Sequence, residues 1–403
     1  MRASLTCFAS LPIALVVAAA PAAAHELQKP DLSGCTTSVV TLDTNFPAGN
    51  VSGCETSGKK RLKLKFAPED APPINCSAWY AFRLTPKRKT KVTVTLDYEA
   101  CGHRYWPKVS TDGQSWKYLP KKQVKVTEED GKKSAKIKIK LGKQPVFVAA
   151  QEIFAPSTYD AWLDVAEANP DANRSILGKS TEGREIPMLS IALASAKPKE
   201  QVVLVGRQHP PEITGALGMM PFVETILSDN PIAVQYRARF ETIVVPMLNP
   251  DGVVRGHWRH NVGGTDLNRD WGPFKQAETK LMDGLLQKLE SDPAKKLRFF
   301  ADFHSTQKDI FYTIPDEFET TPKLFIKDWL GRLQERMPDY KVKRNENPKL
   351  TQANSKNYVY RRYGVPTVTY EMGDETDRAL IVQIGKEAAL AMMETLLKTD
   401  PAD

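Results

Sequence analysis

Two histidines and one glutamate stand at places in this sequence where they can share a metal ion. His209 and Glu212 lie three residues apart, between an apolar run at 202–205 and a predicted helix. His304 directly follows a second apolar run at 299–303. In an open α/β sheet, functional groups gather at the carboxyl ends of the strands. Two imidazoles and one carboxylate are the protein ligands of a catalytic zinc site that keeps its fourth position open. The sequence therefore predicts such a site.

Other residues provide the remaining groups that a metal-dependent hydrolysis needs. Glu371 ends another predicted strand, 366–370, and a carboxylate beside a metal centre is suited to act as a general base. Arg259, Asn268 and Arg269 carry donors that can hold a carboxylate and a developing oxyanion. Each of these residues, taken alone, is equally compatible with a structural or surface role. Their joint occurrence is what points to chemistry.

From about residue 153 onward, strand and helix patterns alternate. Short apolar runs predict buried strands at 202–205, 243–248, 299–303 and 366–370. Amphipathic spacing predicts helices over 212–227, 276–289 and 376–397. We therefore expect an α/β domain built on a mostly parallel or mixed sheet.

The part of the chain before residue 150 shows the period of two that is typical of half-buried strands. Lysines alternate with apolar residues in the segments 61–66, 91–96 and 136–141. This pattern predicts an all-β antiparallel sandwich. The excess of positive charge, +8 for the whole chain, also lies in this part. Outward-facing lysines keep strands soluble and discourage edge pairing, and they also leave open the binding of an acidic polymer. No nucleic-acid-binding module is recognisable.

The N-terminus has the pattern of an export signal. Arg2 precedes an apolar run at 11–20, and three alanines at 22–24 form a small-residue cleavage site. Four further cysteines lie in the first hundred or so residues, an even number typical of disulfides in exported proteins: Cys35, Cys54, Cys76 and Cys101. Three pairings of these cysteines are open. We therefore expect an exported protein, periplasmic or secreted, with no membrane span.

Seven blocks of the sequence, in the same order, resemble the zinc carboxypeptidases related to carboxypeptidase A. They are residues 176–184, His209 with Glu212, and residues 249–252, 258–259, 266–269, 302–305 and 369–371. The resemblance implies an α/β/α sandwich around a mixed sheet. It also implies one zinc ion (Zn²⁺) per chain, bound by His209, Glu212 and His304.

The same resemblance assigns roles to four further residues. Glu371 is implied as the general base, and Arg259 as the group that polarises the scissile carbonyl. Asn268 and Arg269 are implied as ligands of the substrate's terminal carboxylate. The implied activity is that of a metallocarboxypeptidase, which hydrolyses the last peptide bond of peptides or proteins.

The N-terminal part is similar to the β-sandwich that precedes the catalytic domain in the cytosolic carboxypeptidase subgroup and its bacterial relatives. The matching segments are residues 78–83 and 105–116. We therefore expect a signal peptide at 1–24, a β-sandwich domain at 25–152 and a zinc carboxypeptidase domain at 153–403.

Substrate preference is inferred by counting back from Glu371. The family's specificity position falls on Lys356, and a lysine there suits an acidic C-terminal side chain such as glutamate. An exposed lysine in a basic loop is the alternative for this residue. The family's substrate-closing tyrosine falls on Lys349, with Tyr358 and Tyr360 nearby, so no closing tyrosine is assigned.

Two other functions remain open from the sequence. One is a peptidoglycan stem-peptide carboxypeptidase of the cell envelope. The other is a binding protein without catalysis, which the intact set of metal ligands, base and arginines disfavours. Peptide or protein C-termini are the expected partners of a metallocarboxypeptidase, whether or not it trims peptidoglycan stem peptides.

Overall fold

The computed structural model of the chain describes residues 30, 32–72, 79–129 and 131–401. The strands of the N-terminal domain are β1 (Val40–Asp43), β2 (Gly53–Thr56), β3 (Arg61–Phe66), β4 (Ala81–Pro86), β5 (Thr90–Tyr98), β6 (Lys108–Ser110), β7 (Lys117–Tyr118), β8 (Val124–Glu129), β9 (Lys132–Leu141) and β10 (Val146–Ala149). They form two five-stranded sheets, in the orders β1-β4-β10-β6-β7 and β2-β3-β5-β9-β8. Apolar side chains from both sheets share one buried cluster, which confirms the predicted β-sandwich.

One strand pair of this sandwich departs from the antiparallel prediction. Strands β3 and β5 are parallel neighbours, with Leu62 opposite Val94 and Leu64 opposite Leu96. The intervening strand β4 belongs to the other sheet, so the chain crosses the sandwich and returns in its original direction. The alternating pattern predicted which side chains face the core, but it carries no information on strand direction.

The second domain alternates helices and strands. Its elements are α1 (Pro156–Glu167), β11 (Ala172–Lys179), β12 (Glu185–Ile191), β13 (Glu200–Gly206), α2 (Ile213–Ile226), α3 (Pro231–Arg239), β14 (Phe240–Val245), α4 (Pro250–Arg255), α5 (Ala277–Glu290), β15 (Lys296–Thr306), β16 (Ile310–Thr313), α6 (Phe325–Arg336), β17 (Arg344–Glu346), α7 (Ser355–Tyr363), β18 (Thr367–Gly373) and α8 (Arg378–Leu397). The strands form one eight-stranded sheet in the order β11-β12-β14-β13-β15-β18-β16-β17.

This sheet is mixed, and its centre is parallel. Strands β14, β13, β15 and β18 run in the same direction. The antiparallel pairs are β11 with β12, β12 with β14, and β16 with β18, and the last strand, β17, is parallel to β16. The carboxyl ends of the four central strands therefore lie at one edge of the sheet, where open α/β sheets bind their ligands.

Helices cover both faces of the sheet. Strand β13 is buried along its whole length, and successive residues of a strand point to opposite faces. Val202 and Leu204 pack in a cluster with residues of α2, α6 and α8. Val203 and Val205 pack in another cluster with residues of α5 and α7. These two layers confirm the predicted α/β/α sandwich.

The two domains are packed directly against each other. Arg104 of the N-terminal domain forms a bidentate ion pair with Asp374 of the second domain, at 2.7 and 3.1 Å. Trp258 of the second domain is buried in the apolar cluster of the β-sandwich. The β-sandwich therefore contacts the second domain at the segment that follows β18 and at Trp258.

Three expectations concern the N-terminal region and the membrane. The predicted signal peptide, residues 1–24, lies outside the described residues. Cys35 and Cys54 form a disulfide, one of the pairings that the sequence left open, and Cys76 lies outside the described residues. Within the described part of the chain, no helix has the length and apolar character needed to cross a membrane.

Helix α2 packs so closely on strand β15 that the contact requires a glycine. A Cβ atom on Gly215 would lie 2.5 Å from the carbonyl oxygen of His304, a backbone atom that cannot swing away. We expect Gly215→Ala to push α2 from β15 and to destabilise the protein by about 1–3 kcal/mol, the usual cost of overpacking. Urea unfolding followed by circular dichroism measures this change.

Gly284 provides the matched control for that substitution. It lies inside helix α5, is exposed, and a Cβ atom there would meet nothing within 4 Å. Gly284→Ala should leave stability unchanged or raise it by up to about 1 kcal/mol, because alanine is the better helix former. Equal effects of the two substitutions would show that the α2–β15 contact is not tight.

Candidate active site

The three predicted metal ligands converge at the carboxyl edge of the sheet. His209 and Glu212 follow β13, and Glu212 occupies the N-cap position of α2. His304 lies on β15, next to Phe303, which pairs with Gly206 at the end of β13. One donor atom from each of the three side chains lies within 4.8 Å of the others. Parallel pairing of β13 and β15 thus brings together residues that are distant in sequence.

Glu212 stands between the two imidazoles. Its Oε1 lies 2.8 Å from His209 Nδ1, and its Oε2 lies 2.6 Å from His304 Nδ1. Burial alone would raise the pKa of Glu212, but the two imidazoles hold this pKa well below its usual range. The glutamate is therefore a carboxylate with both oxygens facing histidine nitrogens. This donor set is one that a catalytic zinc ion uses.

The Nε2 atom of each histidine, which does not face Glu212, lies close to an aspartate carboxylate. Asp266 Oδ1 lies 2.9 Å from His209 Nε2, and Asp302 Oδ2 lies 2.8 Å from His304 Nε2. Carboxylates in this position fix the ring orientation of metal-binding histidines and make them more basic. Neither role was predicted from the sequence. Asp302 had a usable signal, because residues two apart on a strand share a face.

Glu371 lies on β18 directly opposite His304 of β15. Its Oε2 is buried and has no hydrogen-bond partner among the described residues. Burial, together with the nearby charge of Glu212, raises the pKa of Glu371 to about 7. A carboxyl group with a pKa near neutrality can both accept and release a proton.

Arg259 shares its orienting carboxylate with His209. Its Nε donates to Asp266 Oδ2 at 2.7 Å, while the other oxygen of Asp266 faces His209. Both terminal amino groups of Arg259 are free of hydrogen bonds to the described residues. The structure thus couples the orientation of this arginine to that of His209, a predicted metal ligand.

Asn268 and Arg269 lie beside His304. The Asn268 Nδ2 is 3.3 Å from His304 Nε2, and its Oδ1 accepts from the backbone N–H of Ser355 at 2.9 Å. Arg269 donates from Nη1 to the carbonyl of Asn268 at 2.6 Å, and its side chain is 42% exposed. Its guanidinium is therefore accessible to a ligand.

Lys356 is buried, so it is not the exposed loop lysine that the sequence left as an alternative. It lies in the first turn of α7 and is only 3% exposed. Burial lowers the pKa of Lys356 to about 8. Among the described residues its ammonium group makes one hydrogen bond, to Asn357 Oδ1 at 2.8 Å.

All eight predicted site residues line one cavity of about 290 Å³. The residues predicted from sequence are His209, Glu212, Arg259, Asn268, Arg269, His304, Lys356 and Glu371. The other lining residues are Arg104, Ser305, Thr306, Tyr312, Asn347, Gln352, Asn354 and Thr369. Arg104 comes from the N-terminal domain, and no spacing pattern in the sequence links it to the rest.

Neither tyrosine near the predicted closing position lines this cavity. The Tyr358 hydroxyl donates to Asp283 and its ring packs on Phe274, and Tyr360 packs on Phe318. Tyr312 of β16 is the tyrosine that lines the cavity. Counting back from Glu371 could not find it, because three further elements, α6, β17 and α7, lie between it and β18.

Proteins that are similar to this chain in fold or sequence include two carboxypeptidases. A metallo-carboxypeptidase from Burkholderia cenocepacia has the same fold, with a TM-score of 0.73 and 20% identity over 89% of this chain and 99% of that one. Mouse cytosolic carboxypeptidase 6 is 25% identical over 291 residues, 66% of this chain and 53% of the relative. An uncharacterised protein of Zymomonas mobilis is 25% identical over 362 residues, covering 83% of this chain and 88% of that protein. The chain therefore spans about half the length of the mouse relative.

The N-terminal comparison corrects the prediction of export. Residues 42–149 match the family described as the cytosolic carboxypeptidase N-terminal domain. The mouse relative is itself named a cytosolic carboxypeptidase. Both findings point away from an exported location, so the periplasmic or secreted assignment is wrong. That assignment used a short compositional pattern, an apolar run before small residues, together with an even number of cysteines. The matched domain is much longer and more specific.

The comparison for the second domain agrees with the site. Residues 158–393, more than half of the chain, match the family described as zinc carboxypeptidase. This span contains all the blocks on which the sequence resemblance was based, together with the metal ligands and Glu371. The family consists of metal-dependent peptide hydrolases, and the chain belongs to this zinc carboxypeptidase family.

Proposed function

We propose that this chain is a zinc-dependent carboxypeptidase that removes the last residue of peptides and prefers an acidic residue, glutamate, at that position. One observation carries the proposal. A metal-binding triad, a carboxyl group with a pKa near neutrality and a set of cationic side chains all face a single cavity.

His209, Glu212 and His304 are the residues that would hold the zinc ion, one per chain. Their donors face one another, are held by Asp266 and Asp302, and have the chemistry of a hydrolytic zinc site. Zinc supplies Lewis acidity there, which makes water a nucleophile at neutral pH and polarises a carbonyl.

Glu371 moves the proton. Its free, buried Oε2 accepts a proton from the attacking water and then delivers it to the amine of the departing residue. Arg259 donates from its free amino groups to the scissile carbonyl oxygen, where negative charge develops. Its Nε stays bonded to Asp266, which fixes the guanidinium before substrate arrives.

Asn268 and Arg269 account for cleavage at the end of a chain. Their donors can hold a free terminal carboxylate, which an internal peptide bond does not provide. Lys356 then offers a desolvated cation to the side chain of the last residue. Charge pairing is stronger in a buried site than in water, so glutamate and aspartate side chains gain most.

The relatives support this substrate class over the envelope alternative. The mouse relative is a cytosolic carboxypeptidase, the N-terminal domain matches the domain family of that subgroup, and the peptidoglycan stem-peptide function gains no support from either. A binding protein without catalysis has no use for a Glu371 whose buried Oε2 has no hydrogen-bond partner among the described residues. We therefore keep peptide or protein C-termini as the proposed partners.

The test of the activity is the Glu371→Gln variant. We expect it to bind zinc in the same amount as the parent protein and to lose about 10³-fold in kcat, the scale of general acid–base catalysis. The assay is release of the C-terminal residue from a glutamate-ended peptide, with and without chelator. Zinc content is measured by metal analysis.

Glu335→Gln is the control for that variant, because Glu335 is an exposed residue of α6 and does not line the cavity. It should retain full activity. A Glu371→Gln enzyme with near-parental kcat would remove Glu371 from the mechanism. A parent protein without chelator-sensitive activity would refute the proposed function itself.

The preference for acidic residues is tested by Lys356→Met, which keeps the length of the side chain and removes its charge. We expect kcat/KM to fall tenfold or more for a peptide ending in glutamate, since a hydrogen bond to a charged group contributes about 1.5–3 kcal/mol. A matched peptide ending in leucine should be nearly unaffected. Equal losses with both peptides would exclude Lys356 from specificity.

The pH dependence of the same two peptides provides a second measurement. The pKa of Lys356 is lowered to about 8. The side chain therefore carries its positive charge below about pH 8 and loses this charge as the pH rises above that value. The ratio of kcat/KM for the glutamate peptide to that for the leucine peptide should therefore fall above about pH 8. In Lys356→Met the ratio should stay flat over this range, and a parallel fall in the variant would assign the effect to another group.

A further inference from the structure

We infer that the N-terminal β domain is a working part of the active site, and that its Glu69 is the positioning residue for Arg259. This inference rests on the proposed function, in which Arg259 polarises the scissile carbonyl. It adds a residue from the other domain, remote in sequence from every residue of the zinc carboxypeptidase blocks.

The carboxylate of Glu69 accepts hydrogen bonds from three consecutive backbone N–H groups of the second domain. The donors are Trp258, Arg259 at 2.9 Å and His260 at 2.8 Å. Successive N–H groups that point to one place form a concave site for an anion. In this protein a side chain of the other domain fills that site, and the backbone of Arg259 is the middle of the three donors.

The same loop is held at its start by two more residues of the β domain. Asn50 Nδ2 donates to the carbonyl of Gly256 at 3.0 Å, and the N–H of Ala48 donates to the carbonyl of Val254 at 3.0 Å. Gly256 has a φ of 72°, and a Cβ atom on it would lie 2.7 Å from the Ala48 carbonyl oxygen. Only glycine permits this approach, so the two backbones are closely apposed.

The neighbours of Arg259 in the chain are both anchored in the β domain. Trp258 is 4% exposed and packs at 5.7 Å from the Tyr105 ring. The His260 ring lies 3.2 Å from Asp70 through Nε2 and 3.8 Å from Glu69 through Nδ1. From between these two anchored neighbours, the Arg259 side chain extends to Asp266 and lines the cavity.

Two carboxylates therefore determine where the Arg259 guanidinium lies. Asp266 holds the side chain at Nε, and Glu69 holds the backbone from which this side chain starts. Removing the Glu69 carboxylate leaves three N–H groups without their protein acceptor, and the loop is then no longer held in this position. A displacement of about 1 Å in a positioning group costs up to about 10²-fold in rate.

The first part of the test compares Glu69→Ala and Glu69→Gln with the parent enzyme. We expect kcat on a glutamate-ended peptide to fall 10- to 100-fold in Glu69→Ala and less in Glu69→Gln, which retains one acceptor oxygen. KM and zinc content should change by less than a factor of two, because neither variant touches the metal ligands or the residues proposed to bind the terminal carboxylate.

Glu55→Gln is the matched control. Glu55 belongs to the same domain and pairs with Lys65 on the exposed face of the sheet, where both side chains are largely solvated. This variant should keep parental kcat. Thermal melting of all variants shows which of them are folded, and Glu69→Gln carries the test if Glu69→Ala does not fold.

The second part is a double-mutant cycle with Arg259→Ala. A residue that acts through Arg259 has nothing left to position when the guanidinium is absent. Adding a Glu69 substitution to Arg259→Ala should therefore change kcat by less than twofold. A full additional loss in the double variant, or a loss confined to KM or zinc content, would overturn the inference. A parent enzyme without chelator-sensitive carboxypeptidase activity would instead overturn the proposed function, so the two failures are distinguishable.

Discussion

The structure depends on one constraint: two imidazoles and a carboxylate, from segments far apart in sequence, must meet within ligand distance of a single ion. The parallel pairing of β13 with β15 satisfies it, because Gly206 lies opposite Phe303 and the next residues of each segment carry the ligands. Both strands are buried between helical layers, so their register is fixed by the packing of two apolar clusters. The glycine contact between α2 and β15 then holds Glu212 close to His304.

Charge in the cavity is arranged as a chain of shared carboxylates. Glu212 lies between two histidines, and Asp266 lies between His209 and Arg259. Neighbouring groups of the cavity therefore share one carboxylate, and buried charges interact strongly in a medium of low polarity. Glu371 has no partner on Oε2 within the described structure, and we propose that this oxygen exchanges the proton. The β domain extends this arrangement through Glu69.

Sequence reasoning predicted the parts of the fold that are encoded locally. Strand β3 was predicted with its observed bounds, and helix α2 to within a residue at each end, because apolar periodicity is strong in both. Helix α6 was missed although its apolar residues follow a clear helical period. Helix α7 and the strands β16 and β17 were missed because short segments carry a weak period. All eight site residues, Lys356 included, line one cavity. Asp266, Arg104 and Glu69 were beyond reach, because contacts between distant segments leave no spacing pattern. The export prediction failed because composition over twenty residues is a weak signal of location.

The most direct test of the account is X-ray diffraction from crystals of the zinc-loaded protein, at energies on either side of the zinc absorption edge. The account predicts one strong anomalous peak that appears only above the edge. It should lie about 2.0–2.2 Å from a nitrogen of His209, a nitrogen of His304 and a carboxylate oxygen of Glu212. A protein that binds zinc stoichiometrically at any other cluster, with no peak between these three side chains, would contradict it.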